Sequence, residues 1–207
     1  MKASKIYLSR FLQIVLIVVL VLGLSRSLFA TTATSLPFTT RDLVGEWESV
    51  GCGNLSLGEG LPVVNLKRHY VWSDTNFVVR YSFFADAECQ RPLYSFVSTG
   101  PYELGQVRPE LRNTREATIF IESMFFIAQS EEGRQALGNC GEQLIVGELK
   151  DVTETGCAFF PPRGECLGDH ELFRVENGFF YPGSRTPNMC HESGRPTQTQ
   201  TTGARKL

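Results

Sequence analysis

The chain has 207 residues, 42% of them apolar and 20% charged, with six cysteines, 19 glycines, 10 prolines and a formal net charge of −2. This is the composition of a globular chain, and it excludes collagen-like, low-complexity, coiled-coil and wholly disordered proteins. One domain of moderate size is expected at this length.

The first thirty residues read as an address. Lys2, Lys5 and Arg10 precede an uncharged run from Phe11 to Leu24 whose one polar residue is Gln13, and a short segment then ends in Leu28-Phe29-Ala30. A basic start, an apolar stretch and a small residue at a cleavage point describe a secretory signal peptide. The run is shorter than the ~20 residues that span a bilayer core, and an uncleaved anchor is the alternative. Residues 1–30 are assigned as signal peptide, so the product is expected to be secreted, periplasmic or at the cell surface, with no membrane span in the mature chain. The leader takes four basic residues and no acidic ones with it, leaving 16 basic against 22 acidic, a balance of −6. That acidity argues against nucleic acid as a partner, because affinity for a phosphate backbone comes mainly from Lys and Arg.

Residues 31–41, rich in Thr, Ser and Pro, read as a flexible lead-in, and 42–196 as the folded domain. Period-two alternation with aromatic and β-branched residues predicts strands at Leu43–Val50 and Val63–Trp72, the second following a Gly-rich loop. Ser73-Asp74-Thr75-Asn76 is a turn into a strand from Phe77 to Phe84. Ala85–Pro92 is a loop carrying Cys89, and Leu93–Leu104 is the next strand. A polar segment, Gln106–Glu116, then leads to Ala117–Ala128, apolar on both sides around Met124–Ile127 and read as a buried strand, with a helix the alternative. Ser130 is a candidate cap for one short helix within Gln129–Leu137, which Gly133 weakens. Strand signals return at Gln143–Leu149, Ala158–Phe160, Glu171–Val175 and Phe179–Tyr181, with Asn177-Gly178 a strong hairpin marker between the last two. From Gly194 the chain is polar without periodicity, and residues 197–207 are expected to be a disordered tail.

All six cysteines, Cys52, Cys89, Cys140, Cys157, Cys166 and Cys190, lie beyond the leader. An even number in an exported chain reads as disulfides. Proximity along hairpins suggests Cys52 with Cys89, Cys140 with Cys157 and Cys166 with Cys190, although sequence alone does not choose among the possible pairings; each bridge would stabilise by about 3 kcal/mol in the chain-entropy model. Cys157, Cys166, His170, Cys190 and His191 cluster in the last fifty residues, but zinc sites use tighter pairs, Cys-x₂₋₄-Cys, and the disulfide reading is preferred. No metal and no cofactor is assigned.

Many short strands with at most one short helix point to an all-β, antiparallel, disulfide-stapled sandwich or barrel. Gly45-Glu46-Trp47 at the start of the first strand resembles the Gly-x-Trp signature of lipocalin-like barrels, in which the Trp closes one end and an Arg from a late strand lies across it. Arg174 is placed for that structural cation–π contact.

Longer segments are more specific. Leu43-Val44-Gly45-Glu46-Trp47-Glu48-Ser49-Val50-Gly51-Cys52, Arg68-His69-Tyr70, Tyr81-Ser82-Phe83-Phe84-Ala85-Asp86 leading to Cys89 and Pro92-Leu93-Tyr94, and Gly100-Pro101-Tyr102 are followed by Asn139-Cys140-Gly141, Asp151-Val152-Thr153 with Gly156-Cys157, Glu171-Leu172-Phe173-Arg174 and Arg195-Pro196-Thr197. In order and spacing these resemble the domain of the adenomatosis polyposis coli down-regulated family, over most of Leu43 to Thr197. The resemblance implies an extracellular, disulfide-bonded, lipocalin-like β-barrel. Animal members are cell-surface glycoproteins that antagonise Wnt signalling, with barrels thought to hold the lipid that Wnt carries. This sequence has room for one such domain where the animal proteins carry two, and it lacks their C-terminal span. The implied partner is an apolar or acylated ligand, a lipid-modified protein such as Wnt where the organism has one.

Tyr70, Trp72, Phe77, Tyr81, Phe83, Tyr94 and Phe96 fall on neighbouring predicted strands at alternating spacing. With Trp47 they are the candidate ligand-binding residues. The same side chains would equally fill a solid barrel core, since eight strands leave an interior just wide enough for either. The histidines, His69, His170 and His191, sit in no recognisable Ser, Cys or carboxylate constellation, so no enzyme activity is expected. Asn54-Leu55-Ser56 is an N-glycosylation sequon. The alternative function is a cell-surface interaction module with a solid core, acting through barrel-mouth loops such as the charged segment from Arg108 to Glu116 that carries Arg112 and Arg115.

Overall fold

A computed structural model describes residues 37–56 and 63–207. The signal peptide assigned to 1–30 and most of the lead-in lie outside the described residues. The last part of the lead-in is ordered: Phe38 is buried, and a single helical turn, α1 (Thr40–Leu43), leads into β1 (Gly45–Ser49). Thr39 caps that turn, its backbone N–H donating to Asp42 Oδ2 at 2.7 Å. The hydrogen bonds from Thr39 hold the Asp42 carboxyl below its usual range.

The strands follow as β2 (Gly53–Ser56), β3 (Val63–Trp72), β4 (Asn76–Phe84), β5 (Pro92–Val107), β6 (Thr114–Phe120), β7 (Ser123–Ala128), β8 (Leu149–Asp151), β9 (Gly168–Glu176), β10 (Phe179–Tyr181) and β11 (Ala204–Lys206). Every pairing between them is antiparallel. Eight strands close a ring in the order β1, β3, β4, β5, β6, β9, β10, β11 and back to β1. The protein is therefore an all-β, antiparallel β-barrel. Alternation on β3 sends Leu66, Arg68, Tyr70 and Trp72 inward, and β4 answers with Phe77, Val79 and Phe83.

Three expected strands are corrected. The apolar stretch from Ala117 to Ala128 is two strands, because β5 is longer than any one partner: its residues 94–99 pair with β7 and its residues 102–107 with β6. The fork falls at Gly100, where a β-carbon would lie 1.9 Å from the Phe120 carbonyl oxygen, so only glycine fits. Gln143–Leu149 is mostly a 3₁₀ end and a turn, with β8 beginning at Leu149. Ala158–Phe160 is a tight loop closed by the Cys157–Phe160 bridge, not a strand. The Gly-rich segment after β1 also holds a strand, β2, that the sequence reading passed over.

The expected helix is α2 (Glu131–Ala136), capped by Ser130 Oγ accepting from Gly133 N–H at 3.1 Å. Gly133 does not merely weaken it: a β-carbon there would lie 1.8 Å from the Leu93 carbonyl oxygen, so glycine lets the helix lie against β5. Asn177 and Gly178 both take positive φ in the β9–β10 hairpin.

The largest correction is the C-terminus. Residues 197–207, expected to be disordered, are ordered, and β11 fills the gap between β1 and β10 through Trp47 opposite Lys206 and Phe180 opposite Ala204. Gln200 pins the approach: Arg68 donates to its Oε1, and its own Nε2 donates to the Gly183 carbonyl at 2.9 Å. Lys206 Nζ lies 5.1 Å from the centre of the Trp47 ring. The cation expected there, Arg174, instead stacks on Tyr181 at 3.9 Å.

A chain ending at Gly203 should lose both hydrogen-bonded edges of β11, about 3 kcal/mol at roughly 1 kcal/mol per ladder bond, and melt roughly 6–12 °C lower. Thermal unfolding by circular dichroism measures this, and an unchanged midpoint would show that β11 does not hold the barrel closed.

Candidate ligand-binding site

The barrel interior divides into two packed clusters. The first is an aromatic plug in which Trp72 meets Tyr102, Phe173 and Phe180 edge-on at 4.9, 5.1 and 5.6 Å, and Trp47 donates its indole N–H to the Leu43 carbonyl at 2.7 Å. Tyr70 and Phe77 belong to the same plug. The second cluster contains Leu66, Phe83, Tyr94, Phe96, Met124 and Phe126 under α2 and the segment that follows it. Tyr81 packs against both.

Between them lies a cavity of about 680 Å³, within the range of small-molecule sites, roughly 300–1,000 Å³. Val79 and Ser98, cross-strand neighbours on β4 and β5, line it with Leu55, Ile119, Ile121 and Met124. Of the eight aromatic residues read from the sequence as ligand-binding, Tyr81 and Phe96 reach the cavity wall. Trp47, Tyr70, Trp72 and Phe77 fill the plug, and Phe83 and Tyr94 stack on each other at 4.7 Å in the second cluster.

Residues 157–166 cover the cavity as a strap. Cys157 is bonded to Cys140 and Cys166 to Cys190, so a disulfide anchors each end. Phe160 stacks flat on Phe96 at 3.7 Å, and Phe159 meets Phe83 edge-on at 5.9 Å. The third bridge joins Cys52 to Cys89, so all three pairs are those suggested by proximity. A more open groove of about 700 Å³ runs along the outer side of the same strap past Lys150 and Glu165. The tightest cluster of metal-ligand types among the described residues, Cys166, Asp169 and Cys190, has both sulfurs in a disulfide.

One end of the cavity is charged. Arg185 Nη1 lies 3.0 Å from Asp169 Oδ2 and 3.5 Å from Glu171 Oε1. Burial pushes the Glu171 carboxyl up to about 7, against the pull of Arg185. Asp169 and Glu171 hold Arg185 firmly protonated although burial opposes its charge. Burial likewise raises Tyr81 well above the usual phenol range, so its hydroxyl stays neutral. Arg185 and Asp169 escaped the sequence reading because Arg185 follows Pro182-Gly183-Ser184 in a segment without periodicity.

The histidines stand apart from this wall. His69 pairs with Glu46 at 2.7 Å, and His170 with Glu192 at 2.9 Å. Asn54 is exposed, on β2 rather than in a loop, and Leu55 beside it faces the cavity. Among the described residues, no helix is long and apolar enough to cross a membrane. No family model matches the chain, and no curated protein matches it.

Glu171 makes stability depend on pH. Its folded pKa lies above its unfolded value, near 4.5, so the native state binds more protons between those two values; stability is full below about 4.5 and falls as pH rises toward 7. Glu171→Gln should remove that fall, gaining up to about 3 kcal/mol over wild type at pH 8 and little at pH 4.5. Urea unfolding at the two pH values measures the difference, and a gain that is equal at both would rule out Glu171 as its source.

Proposed function

We propose that this chain is an exported, non-catalytic binding protein that holds one apolar or lipid-modified ligand inside the barrel. The carrying observation is the cavity of about 680 Å³, walled by Val79, Phe96, Ile119, Ile121 and Met124 and covered by a disulfide-anchored strap. Contiguous apolar wall with a few polar groups at one end suits a molecule with a long apolar part. The resemblance to the adenomatosis polyposis coli down-regulated family agrees with this reading, and where the organism has Wnt ligands their acyl group is a ligand of the same kind. Three disulfides suit an oxidising compartment such as the cell exterior or periplasm. His69 is engaged by Glu46, and His170 by Glu192 and Arg195, so among the described residues neither ring is paired with a nucleophile.

The interaction-module reading draws less support. Arg108 pairs with Glu110 and Glu116, Arg112 with Glu176, and Arg115 donates to the Gly105 carbonyl, so the arginines of the charged loop already have partners within the domain.

Titration of the oxidised protein with the neutral apolar fluorophore N-phenyl-1-naphthylamine should show saturable one-to-one binding. Val79→Phe and Ser98→Leu, which fill the cavity from adjacent strands, should each weaken it tenfold or more while the far-ultraviolet spectrum is kept. A wild-type protein that takes up no fluorophore, or folded variants that bind it as wild type does, would overturn the proposal.

A further inference from the structure

The charged end of the cavity presents an unused pair of donors. Arg185 is held through one nitrogen, Nη1, by Asp169 and Glu171; among the described residues its Nε and Nη2 make no hydrogen bond. Those two atoms form one edge of the guanidinium plane, the edge that a carboxylate engages with two parallel hydrogen bonds. The side chain lies on the cavity wall with 36% of its surface accessible. Ser98 also lines the cavity, and among the described residues its buried hydroxyl oxygen makes no hydrogen bond, although buried hydroxyls are ordinarily satisfied.

Arg185 lies between Asp169 and Glu171 at this end of the cavity. Burial raises the Glu171 carboxyl to about 7, so near neutral pH its hold on Arg185 is incomplete. A ligand carboxylate at the free edge would raise it further, and Glu171 would take up a proton as the ligand binds.

We propose that the cavity takes a free long-chain carboxylic acid, its tail against Val79, Phe96, Ile119, Ile121 and Met124 and its carboxylate on the Nε–Nη2 edge of Arg185. This rests on the reading of the cavity as a lipid site and adds the headgroup. It also separates two sources of the same chain: an acyl group esterified to a protein or a glycerolipid has no carboxylate to offer Arg185, whereas a free fatty acid does.

The test is displacement of N-phenyl-1-naphthylamine from the oxidised full domain at pH 7.5 by dodecanoic acid and by its methyl ester. Wild type should be displaced by the acid at a concentration at least tenfold lower than by the ester. Arg185→Gln should remove the preference while ester displacement stays within twofold. Arg185→Lys, which keeps the charge but not the two-donor edge, should lie between them. If Arg185→Gln does not fold, wild type and Arg185→Lys together carry the same comparison. Acid and ester displacing wild type alike, or an acid preference that survives in a folded Arg185→Gln, would overturn the carboxylate assignment while the apolar cavity stands. A wild type that binds neither the fluorophore nor either lipid would overturn the cavity reading and this inference together.

Discussion

Closure of the sheet by three residues, Ala204–Lys206, is the constraint on which the structure depends. Ala204–Lys206 is the one strand that bonds both β1 and β10. Without it, both would be open edges, with the unpaired N–H and C=O groups that sheets must hide. The same strand puts Lys206 over Trp47 and Ala204 into the aromatic plug, so closing the hydrogen-bond ring and sealing one end of the barrel are a single event.

Inside, the division between solid and hollow follows side-chain size. Where large rings from strands around the barrel meet, as Trp72, Tyr102, Phe173 and Phe180 do, they fill it. Where Val79 faces Ser98 across two strands, the side chains are too small to meet those opposite, and a void remains. Empty apolar space costs stability in proportion to its volume, and buried charges cost more unless paired. This barrel carries both side by side, with Glu171 Oε2 buried and unpartnered a short distance from Arg185. Coincidence of two unfavourable features at one wall is expected where a ligand completes the packing.

Much of the fold was legible because it is written in local patterns. The inward alternation of Leu66, Tyr70 and Trp72, the Asn177-Gly178 turn, the Ser130 cap and the nearest-neighbour disulfides each follow from a few adjacent residues. What was hidden depends on distant partners. The break between β6 and β7 is set by Gly100 on another strand, and β11 is held by Arg68, Gln200 and Trp47 in place of any apolar period of its own. The site was legible only in part for the same reason. Aromatic alternation found Tyr81 and Phe96 but also the plug, because periodicity reports which face is buried and not whether that face meets a neighbour or a void. Arg185 lies outside any periodic segment and becomes significant only when β9 brings Asp169 and Glu171 to it.

The most direct test of the central claim, that the barrel encloses a cavity that takes an apolar ligand, is a methyl spectrum. Met124 and Met189 are the methionines among the described residues, and both line the cavity. In protein labelled with ¹³C at methionine methyls, added N-phenyl-1-naphthylamine should move both signals saturably at one-to-one stoichiometry. If the probe leaves both signals where they were at saturating concentration, the interior is closed to ligand and the account is contradicted.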